Sequence, residues 1–120
     1  MGDYEERAKT LSFADKDEIK AIVLAQGSEV VFLDVRGDTE IAEEPLKGDY
    51  KIVCIPCSRT DATELASKAV EILPNKEAPI VVFCRSGARS KTAKDTLESL
   101  GYKKIFNAGG VSDMDYLYSR

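Results

Sequence analysis

Four short apolar runs alternate with stretches of helical periodicity, and this alternation limits the fold more than any other feature. The runs are "EVVFLDVRG", "YKIVCIPCS", "APIVVFC" and "KKIFNAGG". Each is apolar at consecutive positions and stops at polar or small residues, the pattern of a strand buried on both faces. Between them lie helical patterns. In "DKDEIKAIVLAQG", Ile19, Ile22 and Val23 share one face, and the pattern starts near Ala14 and Asp15 and stops at Gly27. In "TDATELASKAVEILPN" the inward face is Leu65, Ala69 and Ile72, with a stop at Pro74. In "SKTAKDTLESLGY" it is Ala93, Leu97 and Leu100, with a stop at Gly101. "DTEIAEE" predicts a short helix ending before Pro45, and "VSDMDYLYSR" a terminal helix or turn. The "LSF" stretch, residues 11–13, reads as a short strand. Strands alternating with helices predict an α/β fold, a parallel sheet covered by helices on both faces.

A sheet of this kind binds its ligand beyond the carboxyl ends of its strands. Three strand ends carry reactive residues: Asp34-Val35-Arg36, Cys54 to Cys57, and Cys84-Arg85. They are predicted to meet at one mouth. The chain of 120 residues suits one domain with a real core. Its net charge of −4, with mixed signs, argues against nucleic acid as a partner. No run is long and apolar enough to cross a membrane, so no membrane role is expected. No secretory signal is visible at the polar start, and Gly2 lacks the following Ser or Thr of a myristoylation signal. The chain reads as cytoplasmic.

There are three cysteines and no histidine. An odd count argues against a disulfide framework. The absence of histidine excludes a Ser-His-Asp triad, a Cys-His pair and imidazole ligands to a metal. No metal site and no cofactor are expected. A reactive cysteine would have to be activated by something other than imidazole.

The segment "CRSGARS" supplies the means. Cys84 ends the most apolar strand and opens a loop that leads into a helix. Gly87 lets the backbone turn tightly, so the N–H groups of Arg85, Ser86, Gly87, Ala88, Arg89 and Ser90 can curl inward around the sulfur. The helix start behind them and the two arginines favour an anion there. These conditions lower a thiol pKa without histidine. Ser90 and Thr92 stand where a hydroxyl can cap the helix or brace the loop.

"VVFCRSGARS" resembles the active-site loop of rhodanese-domain sulfurtransferases. "VVFLDVRGDTE" resembles that family's first motif, and "IFNAGGVSDM" its closing motif. The likeness spans about residues 11 to 115. It implies a rhodanese-like domain over residues 11–120 with a five-stranded parallel sheet. Residues 1–10 are polar and terminal, and are expected to be loosely held. It implies transfer of a sulfane sulfur through a persulfide on Cys84, the nucleophile. Residues 85–90 would form the cradle, and Asp34, Arg36 and Glu40 would support it, with Arg36 and Glu40 paired. The implied partners are a small anionic donor such as thiosulfate and an acceptor that is a thiol, cyanide or a protein. Two departures bear on donor choice and partner surface. The region before the second strand lacks the family's histidine, and no tryptophan follows Gly109-Gly110.

Rival readings stay open. A cysteine-dependent phosphatase or arsenate reductase places five residues between Cys and Arg, whereas four separate Cys84 from Arg89. Asp34 could serve such an enzyme as an acid. A persulfide carrier or a binding module without turnover would also fit the motifs. Of the remaining cysteines, Cys54 lies in an apolar run and is assigned to core packing. Cys57, past Pro56, is a candidate resolving thiol. Tyr4, Tyr102, Tyr116 and Tyr118 read as packing or edge-covering residues. Neither the physiological donor nor the oligomeric state is legible, nor whether the chain is a piece of a larger protein.

Overall fold

Alternation of side chains along each strand lets one sheet serve two cores. The computed structural model describes residues 2–117. Strands β1 (Val31–Asp34), β2 (Lys51–Cys54), β3 (Ile80–Cys84) and β4 (Ile105–Gly110) lie in the order β2-β1-β3-β4, all parallel. Val31, Leu33, Ile80, Val82 and Cys84 face one core, with Leu65, Ala69, Ala93 and Leu97 from helices α4 (Thr63–Ile72) and α5 (Ala88–Ser99). Phe32, Val81, Phe83 and Ala108 face the other, with Ile19 of helix α2 (Lys16–Gln26) and with Val111, Met114 and Leu117 of the closing 3-10 segment. Asp15 caps α2 by accepting the Asp17 N–H at 2.8 Å. Helix α3 (Asp38–Glu43) joins β1 to β2.

The polar residues at the start form a helix, α1 (Gly2–Thr10), where the sequence pattern predicts only a loosely held segment. The expected fifth strand is absent from the described residues. Residues 11–14 lie beside β4, and Ala14 N–H bonds to Asn107 O at 2.9 Å. Ser12, however, takes a φ of +57°, which breaks an extended backbone. The N–H groups of Leu11 and Phe13 turn back to the carbonyls of Arg7 and Ala8. The pull of α1 on this segment outcompetes pairing with the sheet.

Two packing expectations also need correction. Cys54 is exposed, not in the core, because β2 is an edge strand and Lys51 and Ile52 are exposed with it. Ile72 is 42% exposed, and the next residue, Leu73, takes the inward place as the helix ends. Leu100 packs against the core as expected, half-buried. The expectation for Tyr118 falls outside the described residues. Among the described residues no helix is long and apolar enough to cross a membrane.

Strand order reverses between β1 and β3, since the chain steps from β1 outward to β2 and then returns to the far side of β1. That reversal opens a crevice at the carboxyl ends of β1 and β3. Asp34 and Cys84 end those two strands.

Candidate active site

Cys84 is fully buried at the end of β3, on the side of the sheet covered by α5. The chain then bends at once around the sulfur. Gly87 N–H donates to Cys84 Sγ at 3.0 Å. Gly87 caps α5 with a φ of +100°, a conformation that only glycine adopts without strain. Space also demands glycine there: a Cβ would lie 2.3 Å from the Phe13 ring. Burial works to raise the Cys84 pKa, but it is outweighed by the Ser90 hydroxyl and the backbone N–H groups of Ser90, Gly87 and Ser86, so the thiol lies below its ordinary value.

Ser90 stands at the centre of a buried polar network. Its Oγ lies 3.5 Å from Cys84 Sγ, 2.7 Å from Asn107 Oδ1 and 3.1 Å from Gly87 O. One hydroxyl proton serves one acceptor at a time. With a protonated thiol, Ser90 can donate to Asn107; with an ionised sulfur it can turn its proton inward. Asn107 is held in orientation for this exchange. Its Nδ2 donates to Leu11 O and Gly87 O, and its Oδ1 also accepts from Gly109 N. A register shift in the β3–β4 pairing follows directly after Asn107, with Phe83 opposite Gly109.

The other residues singled out from the sequence divide into two groups. Asp34 and Arg36 form a buried pair at the end of β1, with Arg36 Nη2 and Nε 2.8 and 2.9 Å from the carboxylate. Arg36 also donates to the carbonyls of Glu44 at 2.8 Å and Glu40 at 3.4 Å, closing the end of α3. Burial opposes the Arg36 charge, and the bonds and charge of Asp34 lead the groups that keep its pKa above the ordinary value. These two residues fix the wall of the crevice and do not touch the sulfur.

Glu40 does not pair with the Arg36 side chain as expected. Its carboxylate forms a two-pronged bridge to Arg89 at 2.8 and 2.7 Å. Glu40 Oε1 also accepts from Gly37 N. The Arg36 guanidinium is already engaged by Asp34, which leaves Glu40 to reach across to α5. The Arg89 bridge, aided by Gly37 N–H against the cost of burial, lowers the Glu40 pKa to about 2. Arg89 is therefore neutralised within the rim. Arg85 is exposed and has no ion pair among the described residues, so it carries the open positive charge at the mouth. Arg36, Glu40, Glu43, Glu44 and Arg85 line the recess beside it. Ser86 is exposed at the rim, and Ala88 opens α5.

Cys57 lies on the same side of the sheet as Cys84, half-buried, with its Sγ donating to Arg89 O at 3.5 Å. Burial and the neighbouring Cys84 push its thiol up to about 11. A thiol held in that state is a poor nucleophile.

Sequence reasoning misses the residues that hold the loop from outside. Asn107 lies inside the quoted closing motif, and an asparagine in an apolar strand is the available signal. Arg7 and Phe13 give none, because they meet the loop only through the fold. Gly110 packs its backbone on the loop: a Cβ there would fall 2.0 Å from Arg85 O.

The chain is similar to known proteins. Thiosulfate sulfurtransferase PspE of Escherichia coli (strain K12) is 29% identical over 83 residues, which cover 69% of this chain and 72% of that protein. A mitochondrial protein of Schizosaccharomyces pombe (strain 972 / ATCC 24843), provisionally named a thiosulfate sulfurtransferase, is 36% identical over 86 residues, 67% of this chain and 58% of its own length. A solved rhodanese with anions from E. coli superposes with a TM-score of 0.55 at 26% identity, over 70% of this chain and 89% of that one. The sequence pattern described as Rhodanese-like domain matches residues 15–114, from the cap of α2 through the cysteine loop to the 3-10 segment. With Cys84, its amide-lined loop and the strand-end Asp34 in the places that pattern spans, the chain belongs to the rhodanese-like domain family.

Proposed function

We propose that the protein is a sulfurtransferase that carries a sulfane sulfur on Cys84. The observation that carries the reading is the Gly87 N–H at 3.0 Å from Cys84 Sγ, in a loop that lowers the thiol pKa without histidine. The Cys84 thiolate attacks the outer sulfur of a thiosulfate-like donor. The donor's S–S bond breaks, sulfite leaves with the electron pair, and a Cys84 persulfide remains. An acceptor such as cyanide or a thiolate then attacks the outer sulfur and releases the Cys84 thiolate. The amides that stabilise the thiolate serve the persulfide anion in the same way, so one cradle lowers both halves of a two-step transfer.

The mouth suits a small anion. Arg85 offers the open charge, whereas Arg89 is already bound by Glu40. That bond also weighs against phosphatase chemistry, which needs the arginine at the far end of the loop free to grip an oxyanion. A reducing compartment such as the cytoplasm would keep Cys84 as the free thiol this cycle requires.

The test is sulfur transfer from thiosulfate to cyanide, with intact mass recorded after donor treatment. The expected result is turnover and a one-sulfur mass gain, both lost in Cys84→Ser. Mass gain without turnover would instead indicate a carrier that awaits its own acceptor. Neither signal, after reduction and with several donors, would overturn the reading.

A further inference from the structure

The peptide unit between Ser86 and Gly87 makes a contact at each of its two ends. Its N–H, on Gly87, donates to Cys84 Sγ at 3.0 Å. Its carbonyl, on Ser86, accepts from Arg7 Nη1, also at 3.0 Å. A trans peptide directs these two groups to opposite sides. The guanidinium therefore stands directly behind a backbone donor to the sulfur and holds the carbonyl at the other end of the same peptide.

Arg7 is itself firmly placed. Its Nη1 and Nη2 meet Asp113 at 2.9 and 3.0 Å, and its Nε meets Asp3 at 3.1 Å. The guanidinium also lies 5.8 and 5.7 Å from the ring centres of Tyr4 and Phe13. Asp113 accepts Gly110 N–H at 2.8 Å, which ties this ion pair to the backbone that supports Arg85. Phe13 presses on Gly87 from the same side. Arg7 and Phe13 both precede residue 15, where the family pattern begins.

Glycine makes such a support necessary. Gly87 admits φ of either sign, so the Ser86–Gly87 peptide can turn over with little steric cost of its own. Turned over, it would aim a carbonyl oxygen at the sulfur and repel an anion there. We propose that Arg7 is a positioning residue for Cys84: by holding the Ser86 carbonyl outward, it keeps the Gly87 N–H of the same peptide aimed at the sulfur. The inference deepens the sulfur-transfer reading but concerns the thiol itself. The other charged or titratable groups around Cys84 are Arg89 with its partner Glu40, Cys57, the exposed Arg85, and the Asp34–Arg36 pair at the adjoining strand end. Among the described residues none of these side chains bonds to the Ser86 carbonyl.

The experiment is the pH dependence of Cys84 alkylation by iodoacetamide, resolved by peptide mass, on the full chain. Arg7→Gln removes the cation and Arg7→Lys keeps one. The expected result is a midpoint raised by about one pH unit in Arg7→Gln and returned towards the parent in Arg7→Lys. A support of the fold alone would lower the melting temperature and leave the midpoint in place, and that result would overturn the proposal. If Arg7→Gln does not fold, NMR of the parent decides. The Arg7 side-chain N–H signals must then titrate with the same midpoint as the Gly87 amide; indifference to Cys84 would overturn the proposal. Alkylation needs no sulfur donor, so a shifted midpoint with neither turnover nor sulfur loading would sink the proposed function and leave this inference standing.

Discussion

Cys84 and Cys54 both end a parallel strand, yet the chain treats the two sulfurs in opposite ways. After Cys54, the next amides turn towards the end of β1. Ile55 N–H bonds to Asp34 O and Cys57 N–H to Val35 O, and Pro56 between them has no N–H at all. Nothing is left to curl around a sulfur. After Cys84, Gly87 reverses the chain and the amides close on Sγ. The outcome shows in the thiols: Cys84 is lowered despite complete burial, whereas desolvation pushes Cys57 up to about 11 and also raises Cys54. Position at a strand end offers a cysteine to the crevice. The path of the next three peptides decides whether its pKa falls or rises.

The strongest way to break this comparison is to exchange the thiols in turn. Cys84→Ser is expected to abolish turnover and sulfur loading, while Cys57→Ser retains most of both. Equal loss in the two variants, read by thiocyanate formation, would erase the distinction and restore Cys57 as a resolving thiol. Gly87→Ala comes next. It places a Cβ in the Phe13 ring and forces a residue with a side chain to a φ of +100°. The expected cost is about 1–3 kcal/mol, seen in urea unfolding, with a raised midpoint for Cys84 alkylation.

Ser90→Ala tests the hydroxyl alone. It leaves the backbone N–H groups in place and should raise the alkylation midpoint of Cys84 by less than Gly87→Ala does, with transfer slowed by about tenfold. An unchanged midpoint would assign the lowered thiol to the backbone only. The smallest effect is expected at Glu40→Gln, about 1 kcal/mol at neutral pH for an ion pair whose side chains are 24% and 26% exposed. Its sign with pH is defined. The folded-state pKa of Glu40 is lowered to about 2 from 4.5, so the pair stabilises above pH 4.5 and its contribution is lost as pH falls towards 2. Urea unfolding of parent and variant should therefore converge across that window. Curves that stay parallel down to pH 2 would mean that the pair stabilises nothing.

Much of the site is legible in the sequence because its signals are local. Cys84, Gly87 and Ser90 lie within seven consecutive residues, and a glycine between a strand pattern and a helix pattern points to a tight turn. The two-core sheet is legible from apolar residues at consecutive positions. Pairing across distance is not. The family resemblance points Glu40 to Arg36, and it does not reveal that Asp34 already holds Arg36 while Arg89 crosses from α5 to meet Glu40. Cys54 reads as buried because β2 is as apolar as its neighbours, and only strand order exposes it as an edge. The fifth strand fails for a similar reason: residues 11–13 are suitable for a strand, but the N–H groups of Leu11 and Phe13 are taken by α1.

By itself, the sequence determined the class of fold, the cysteine at the end of the most apolar strand and the turn that follows it, because hydrophobic period and glycine freedom act over a few residues. Tertiary structure alone decided which charges neutralise each other, which strand lies at the edge, and that Arg7 stands behind the Ser86–Gly87 peptide across 79 positions of chain. Such contacts depend on where whole elements pack, and packing is settled by the summed burial of two cores, to which no short stretch of sequence gives access.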